Sequence, residues 1–353
     1  MRLVIRSGAA VMALVALAGG TSISEAAISA GPGRWTISYT NRLPMSSFLA
    51  AVAVSPRDIW AIGKFATSAG PNRAIIRRWD GRAWRTVDLP RQYRGLVPSD
   101  IAGTSPDNIW VSGWVFGDFE SVALRWNGHH WSRVTGLPKG IAGRLMMAVT
   151  GPKDAWIFDG SGNWHYNGRR WRRFNLPYSV FGVSAVSANN IWAIGEGPNR
   201  PVLARWHDGR WTTHRLPFIN RYAALFNVLA LPDGELWITG GTLGTPEIPL
   251  ALHYQNGEWR RYQGPGGDFL GPAVPDGTGG IWAAHLTADD LTTMVHIDAR
   301  GWHEVKLPGV RGKHTSVTTL AKAPRSRTVF AFGELFWSSM PYQTDGLILR
   351  TSP

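Results

Sequence analysis

Residues 55–90 read SPRDIWAIGKFATSAGPNRAIIRRWDGRAWRTVDLP. The phrase returns at 105–138 as SPDNIWVSGWVFGDFESVALRWNGHHWSRVTGLP and at 187–217 as SANNIWAIGEGPNRPVLARWHDGRWTTHRLP. Aligning the chain with itself exposes two markers. The first is an aromatic after a short polar turn: Trp60, Trp110, Trp156, Trp192, Trp237, Trp282 and Phe330, spaced 36 to 50 residues apart. The second is a Trp after a Gly-containing turn: Trp84, Trp131, Trp171, Trp211, Trp259 and Trp302. Leu-Pro follows many of the latter, as at Leu89-Pro90 and Leu216-Pro217.

Each unit divides into four short strands. A small apolar strand such as LAAVAVS precedes the polar turn, and IWAIG follows it. AIIRRW is the third, and Asp-Gly or Asn-Gly leads to the fourth, WRTVDLP. Those dipeptides mark two-residue hairpin turns. No stretch after the leader carries a 3.6-residue apolar period with caps, so helix is expected to be minimal. Four-strand meanders at a 40–50 residue period predict an all-β propeller. Its four-stranded antiparallel blades number seven. Trp35 and Leu43-Pro44 form an orphan fourth strand, and the last unit stops after three. The N-terminal strand should therefore complete the last blade and close the ring, which also removes exposed sheet edges.

Composition narrows the classes. The chain has 353 residues, 19 Trp and no Cys, which excludes disulfides, thiolate zinc sites and a cysteine nucleophile. Residues 1–26, with Arg2 and Arg6 before an apolar run and Ser24-Glu25-Ala26 after it, read as a secretory signal. Residues 27–353 would then be one propeller domain, exported, not membrane-spanning and monomeric. The formal charge is +13, and +12 once Arg2, Arg6 and Glu25 are removed. It favours anionic partners such as cell-wall polymers; nucleic acid does not fit an exported protein.

The architecture resembles the exported bacterial kelch and neuraminidase-like propellers. WDGRAW is similar to an Asp-box hairpin, without its preceding Ser and its Asp spacing, and the kelch double Gly occurs only at Gly240-Gly241. The resemblance implies the fold and no site.

On a propeller, the loops joining strands two and three share one face, the top, with the blade-to-blade connections. Here those loops are long and unequal, so binding residues are sought there. Three positions past the first marker the residue is Gly63, Gly113, Gly195, Gly240 or Gly333, with Asp159 and His285 as the departures. With the next position this draws a ring of Lys64, Asp159, Glu196, His285 and Glu334. Glu196, Glu334, His285 and Arg221 are the catalytic candidates for a polysaccharide hydrolase or lyase, since paired carboxylates cleave glycosidic bonds. Trp114, Phe116, Phe119, Trp337, Tyr342, Tyr222 and Lys64 are the candidates for ligand binding, because exposed rings stack on sugars. Arg169, Arg170, Arg172 and Arg173 are the densest part of an arginine-rich outer wall that also takes in Arg78, Arg125 and Arg205, a candidate polyanion patch. Asp159–Asn163, DGSGN, has half of a calcium loop but no closing acid. No metal site, cofactor motif, nucleophile elbow or phosphate loop is expected. The leading expectation is a non-catalytic propeller taking a carbohydrate or protein on its top face.

Overall fold

The Asp-Gly turn shows how the local sequence makes a blade. In residues 79–84 the Asp80 carboxylate accepts the backbone N–H groups of Arg82 and Ala83, both at 2.8 Å, and Gly81 takes φ +93°. Those N–H groups, Ala83 first, pull the Asp80 carboxyl down to about 2. The turn joins Gly70–Trp79 to Trp84–Thr86. Ser47–Ser55 and Asp58–Thr67 complete the first blade. In the computed structural model the described residues are 34–67, 70–115, 120–137, 145–159, 162–244, 246–287, 292–337 and 340–351. They form seven such four-stranded antiparallel sheets. Blades 2 to 6 begin at Leu96, Met146, Ser179, Ala223 and Phe269. One short 3-10 turn, Arg91–Tyr93, is the only helical element among the described residues.

Blade 7 is built from both ends of the chain. Lys313–Lys322, Val329–Trp337 and Met340–Thr351 are joined at the outside by Trp35–Asn41. Trp35 pairs with Thr351 and packs edge-on against Trp282 of blade 6, 5.4 Å between centroids. Ser46 completes the latch, its hydroxyl accepting the Gly346 N–H at 2.8 Å.

The apolar core is distributed around the ring in seven clusters, each shared by two adjacent blades. An open row of seven blades would have six, so the seventh cluster, between blades 7 and 1, is what closure adds. Burial of a Trp ring is worth roughly 4–6 kcal/mol gross, from about 150–250 Å² at about 25 cal/mol per Å². Trp60, Trp110, Trp156 and Trp237 are all fully buried.

The glycines three positions past the first marker have a steric cause. A Cβ at Gly63 would fall 2.1 Å from the Ser47 carbonyl oxygen, and one at Gly195 would fall 1.9 Å from that of Ser179. The first strand bulges at this level, between Phe48 and Ala50 and between Val180 and Gly182. The departures occur where that approach differs. In blade 3 the pairing ends at Met146–Phe158, leaving Asp159 beyond it, and in blade 6 the irregularity widens to Leu270–Ala273.

A second regularity involves the cations. In every blade the marker aromatic faces a basic residue across the second and third strands: Trp60–Arg78, Trp110–Arg125, Trp156–His165, Trp192–Arg205, Trp237–His253, Trp282–His296 and Phe330–Arg350. In six blades an acid or amide holds that residue. Asp58 takes Arg78 through two oxygens at 2.6 and 2.9 Å, while Arg78 sits 4.9 Å from the Trp60 ring. Asn108 and Asn190 accept from Arg125 and Arg205, each at 2.9 Å. His165 and His253 stack on their Trp rings at 3.8 Å and hydrogen bond with Asp154 and Glu235. His296 hydrogen bonds with Asp276 at 2.8 Å. Arg78, Arg125 and Arg205 are thus tied into their blades beside the marker Trp, and Arg78, bidentate and stacked, has few donors left for a polyanion.

Candidate functional site

Exposed apolar side chains are concentrated on one face. Among the described residues eight large hydrophobics are exposed, and seven of them lie on top-face loops or strand ends: Leu43, Met45, Phe218, Tyr222, Leu243, Leu286 and Trp337. Ile37, on the outer strand of blade 7, is the eighth. Contiguous exposed apolar patches mark interaction sites, and these seven side chains come from the loops leading into blades 1 and 5 and from the second-strand ends of blades 5, 6 and 7.

Two of the aromatics are held in place. Trp337 ends the second strand of blade 7 and is 37% exposed. Lys313 lies 4.9 Å from its ring and is itself hydrogen-bonded to Asp345. Gly312 has φ +75°, and a Cβ there would stand 2.8 Å from the indole, so this glycine lets the backbone pass against the ring. Tyr222, 49% exposed, precedes blade 5, and Arg221 both stacks over its ring at 4.8 Å and donates to its hydroxyl at 2.6 Å. Each of these partly exposed rings carries a cation against it.

The ring of aligned positions is only partly assembled. Lys64 of blade 1 lies close enough to Glu334 of blade 7 for its charge to act on it. Burial pushes the Glu334 carboxyl up, and the Lys64 charge acts against that rise. Glu196 is exposed on blade 4, three blades from Glu334, as far apart as two blades of seven can be. His285 does not reach the rim. Its side chain is 1% exposed, lies under Gly267, and sits 3.2 Å from Glu304 on the outer strand of its own blade. Glu304 is held below its usual range chiefly by the His285 imidazole beside it. Arg221, as described, is engaged with Tyr222.

The remaining expected residues are dispersed. Trp114 is half-buried at the end of its strand in blade 2, in register with Val97 and Ser121. Phe116 and Phe119 lie outside the described residues. Tyr342 is in the third strand of blade 7, and its side chain is outside the described set. Arg169, Arg170, Arg172 and Arg173 are all exposed at the outer hairpin of blade 3. The backbone N–H groups of Arg169 and Arg170 cap Asn167. Arg172 and Arg173 pair with His165 and Trp164, so they point to opposite faces.

One concavity was not singled out by sequence. Between blades 3 and 4 on the top face lies a polar cleft of about 150 Å³, lined by Asp159, Gly162, Asn163, Asn175, Tyr178 and Ser179. Asp159 is buried and accepts the Gly162 N–H at 2.6 Å. The side-chain oxygen of Asn163 and the hydroxyl of Tyr178 are buried there without a hydrogen-bond partner. Leaving such an atom unpaired costs about 1–3 kcal/mol. Burial pushes the Tyr178 phenol well above its ordinary range, so it stays protonated. The sequence signals were the departure from Gly at Asp159 and the DGSGN run Asp159–Asn163, of which residues 160 and 161 lie outside the described set; nothing in the repeat marks Tyr178. No group of three or more acidic, His or Cys side chains suited to a metal occurs among the described residues.

The fold is that of a seven-bladed β-propeller. Neither a known family nor a curated protein matches the sequence. Solved structures match it in shape. A GH74 xyloglucanase from Xanthomonas campestris is 14% identical with a TM-score of 0.58, over 86% of this chain and 53% of that one. An extracellular domain from B. thetaiotaomicron is 13% identical with a TM-score of 0.58, over 89% and 39%. The WD40 β-propeller domain of Doa1 is 12% identical with a TM-score of 0.59, over 91% and 97%. The chain therefore spans about half of the xyloglucanase and about two fifths of the B. thetaiotaomicron protein. At these identities the likeness is one of fold, and propellers carry many functions. Among the described residues no helix is long and apolar enough to cross a membrane.

Proposed function

We propose that this propeller is an exported binding module whose top face takes a carbohydrate or protein ligand. The observation that carries the reading is the concentration of exposed apolar side chains on the top face, with Trp337 and Tyr222 each braced by a cation. A ring fixed by packing presents its free face at little entropic cost, which favours stacking on the apolar face of a sugar or on an apolar side chain. The leader-like residues 1–26 support export, and the basic balance of the chain supports a surface rich in anions as its setting. Catalysis is the weaker reading here, because the two candidate carboxylates stand three blades apart and His285 is enclosed.

The test is a binding screen of the mature protein against neutral glycans and polyanions at low and high salt, with Trp337→Ala and Tyr222→Ala alongside. Binding to neutral glycans that survives high salt and falls in both variants is the expected result. A ligand bound equally well by the double variant overturns the reading. Binding confined to polyanions and lost at high salt would instead locate the function at Arg169, Arg170, Arg172 and Arg173.

A further inference from the structure

The cleft between blades 3 and 4 is built from two blades, and neither blade satisfies it. Asn163 is 6% exposed and opens the third strand of blade 3, and its side-chain oxygen has no partner. Tyr178 comes from the connection into blade 4, and its hydroxyl has none either. Both residues line the same polar space of about 150 Å³, the two unpaired oxygens themselves being closed off from bulk solvent. The tyrosine is held in position: Gly195 packs beneath it, where a Cβ would come 3.1 Å from the ring carbon Cδ2. Asp159 forms the adjoining wall, anchored by the Gly162 N–H.

The chemistry of these walls restricts the occupant. Asn163 offers an acceptor and Tyr178 a hydroxyl that both donates and accepts. Asp159 repels an anion. A metal cation would find in Asp159 the one carboxylate of the lining, and no group of three acidic, His or Cys side chains gathers here among the described residues. The space is below the roughly 300 Å³ where pockets for drug-sized ligands begin, so it accepts a single small group. Adjacent hydroxyls, each able to donate to one wall and accept from the other, meet these demands.

We propose that the cleft lined by Asn163, Tyr178 and Asp159 is a subsite for the vicinal diol of one neutral sugar residue. This rests on the top-face binding reading and makes it specific. The probes are glucose, galactose, mannose, xylose and fucose, titrated against the full mature chain by ligand-observed NMR and calorimetry. At least one should bind, and Tyr178→Phe, which removes a single oxygen, should weaken it about 10-fold, the loss expected for one buried hydrogen bond to a ligand hydroxyl. The same variant should unfold at an equal or higher urea concentration, because it deletes an unpaired buried hydroxyl. Asn163→Asp, of the same shape, supplies a second variant and should alter which sugar is preferred. No binding by any of the five overturns the proposal, as does unchanged affinity in Tyr178→Phe. Binding abolished by a chelator also overturns it, since a metal would then be the recognising group. Polysaccharide binding that is lost in Trp337→Ala but unaffected by Tyr178→Phe would overturn the cleft alone and leave the top-face reading standing.

Discussion

Removing the Glu235 carboxylate should destabilise the ring from inside blade 5. Glu235 is buried, and its Oε1 accepts from Trp237 Nε1 at 2.7 Å and hydrogen bonds with His253 Nε2 at 2.7 Å. His253 in turn lies flat on Trp237, 3.8 Å away and tilted by 9°. Glu235→Ala leaves the indole N–H and one imidazole N–H buried and unpaired. At about 1–3 kcal/mol for each, and about 3–5 kcal/mol for breaking a buried pair, the expected loss is about 4 kcal/mol. At about 2.1 cal/mol/K per residue over roughly 320 folded residues, that is a fall of about 6 °C in Tm. Glu235→Gln keeps an acceptor in the same place and should cost less than about 1.5 kcal/mol. Glu258→Ala, exposed on the outer strand of the same blade, should stay within about 0.5 kcal/mol of the parent. Urea unfolding at pH 7, followed by Trp fluorescence and far-UV circular dichroism, reads all three. A loss below about 1 kcal/mol in Glu235→Ala would refute the reasoning, and so would equal losses in the Ala and Gln variants.

Acidification should destabilise the ring in two stages. Burial holds His253 below its ordinary value, outweighing the opposing pull of Glu235, so between the two values the unfolded chain binds more protons and stability falls as pH drops below about 6.5. Burial alone would raise Asp276, but hydrogen bonds from His296, Thr278 and Gly280 depress it well below the carboxylate range, so its contribution is full above about 4 and lost as pH falls further. Urea midpoints from pH 8 to 3 should show both limbs, with Asp276→Asn flattening the lower one; a midpoint rising on acidification would contradict this. Gly195→Ala should strain the bulge at Ser179 and cost more than about 2 kcal/mol, measured as a lowered urea midpoint, whereas Ala at Gly209, with open space around its Cβ, loses mainly through its positive φ, by about 1 kcal/mol. Lys64→Met should raise the Glu334 carboxyl further, since the lysine charge is what opposes its burial; a titration by carboxyl-carbon NMR that moves downward would exclude that pairing.

The architecture was legible in the chain because it is periodic. The Trp markers, the Asp-Gly and Asn-Gly turns and the split last blade each repeat or complement one another along the sequence. That pattern alone dictates seven meanders and their closure through Trp35–Asn41. The composition also established that no disulfide holds the ring. What the repeats could not convey was which side chains meet. Arg78, Arg125 and Arg205 read as a basic wall, yet strand register sets each against a Trp and an acid or amide inside its blade. His285 read as part of a rim, yet the widened irregularity of blade 6 turns it inward to Glu304. Asn163 and Tyr178 carry no repeat signature, because they converge only when blades 3 and 4 pack together. Periodicity is a property of one strand and its turns. A site is a property of contacts between blades, and those depend on registers and bulges that residues some 45 positions apart decide together.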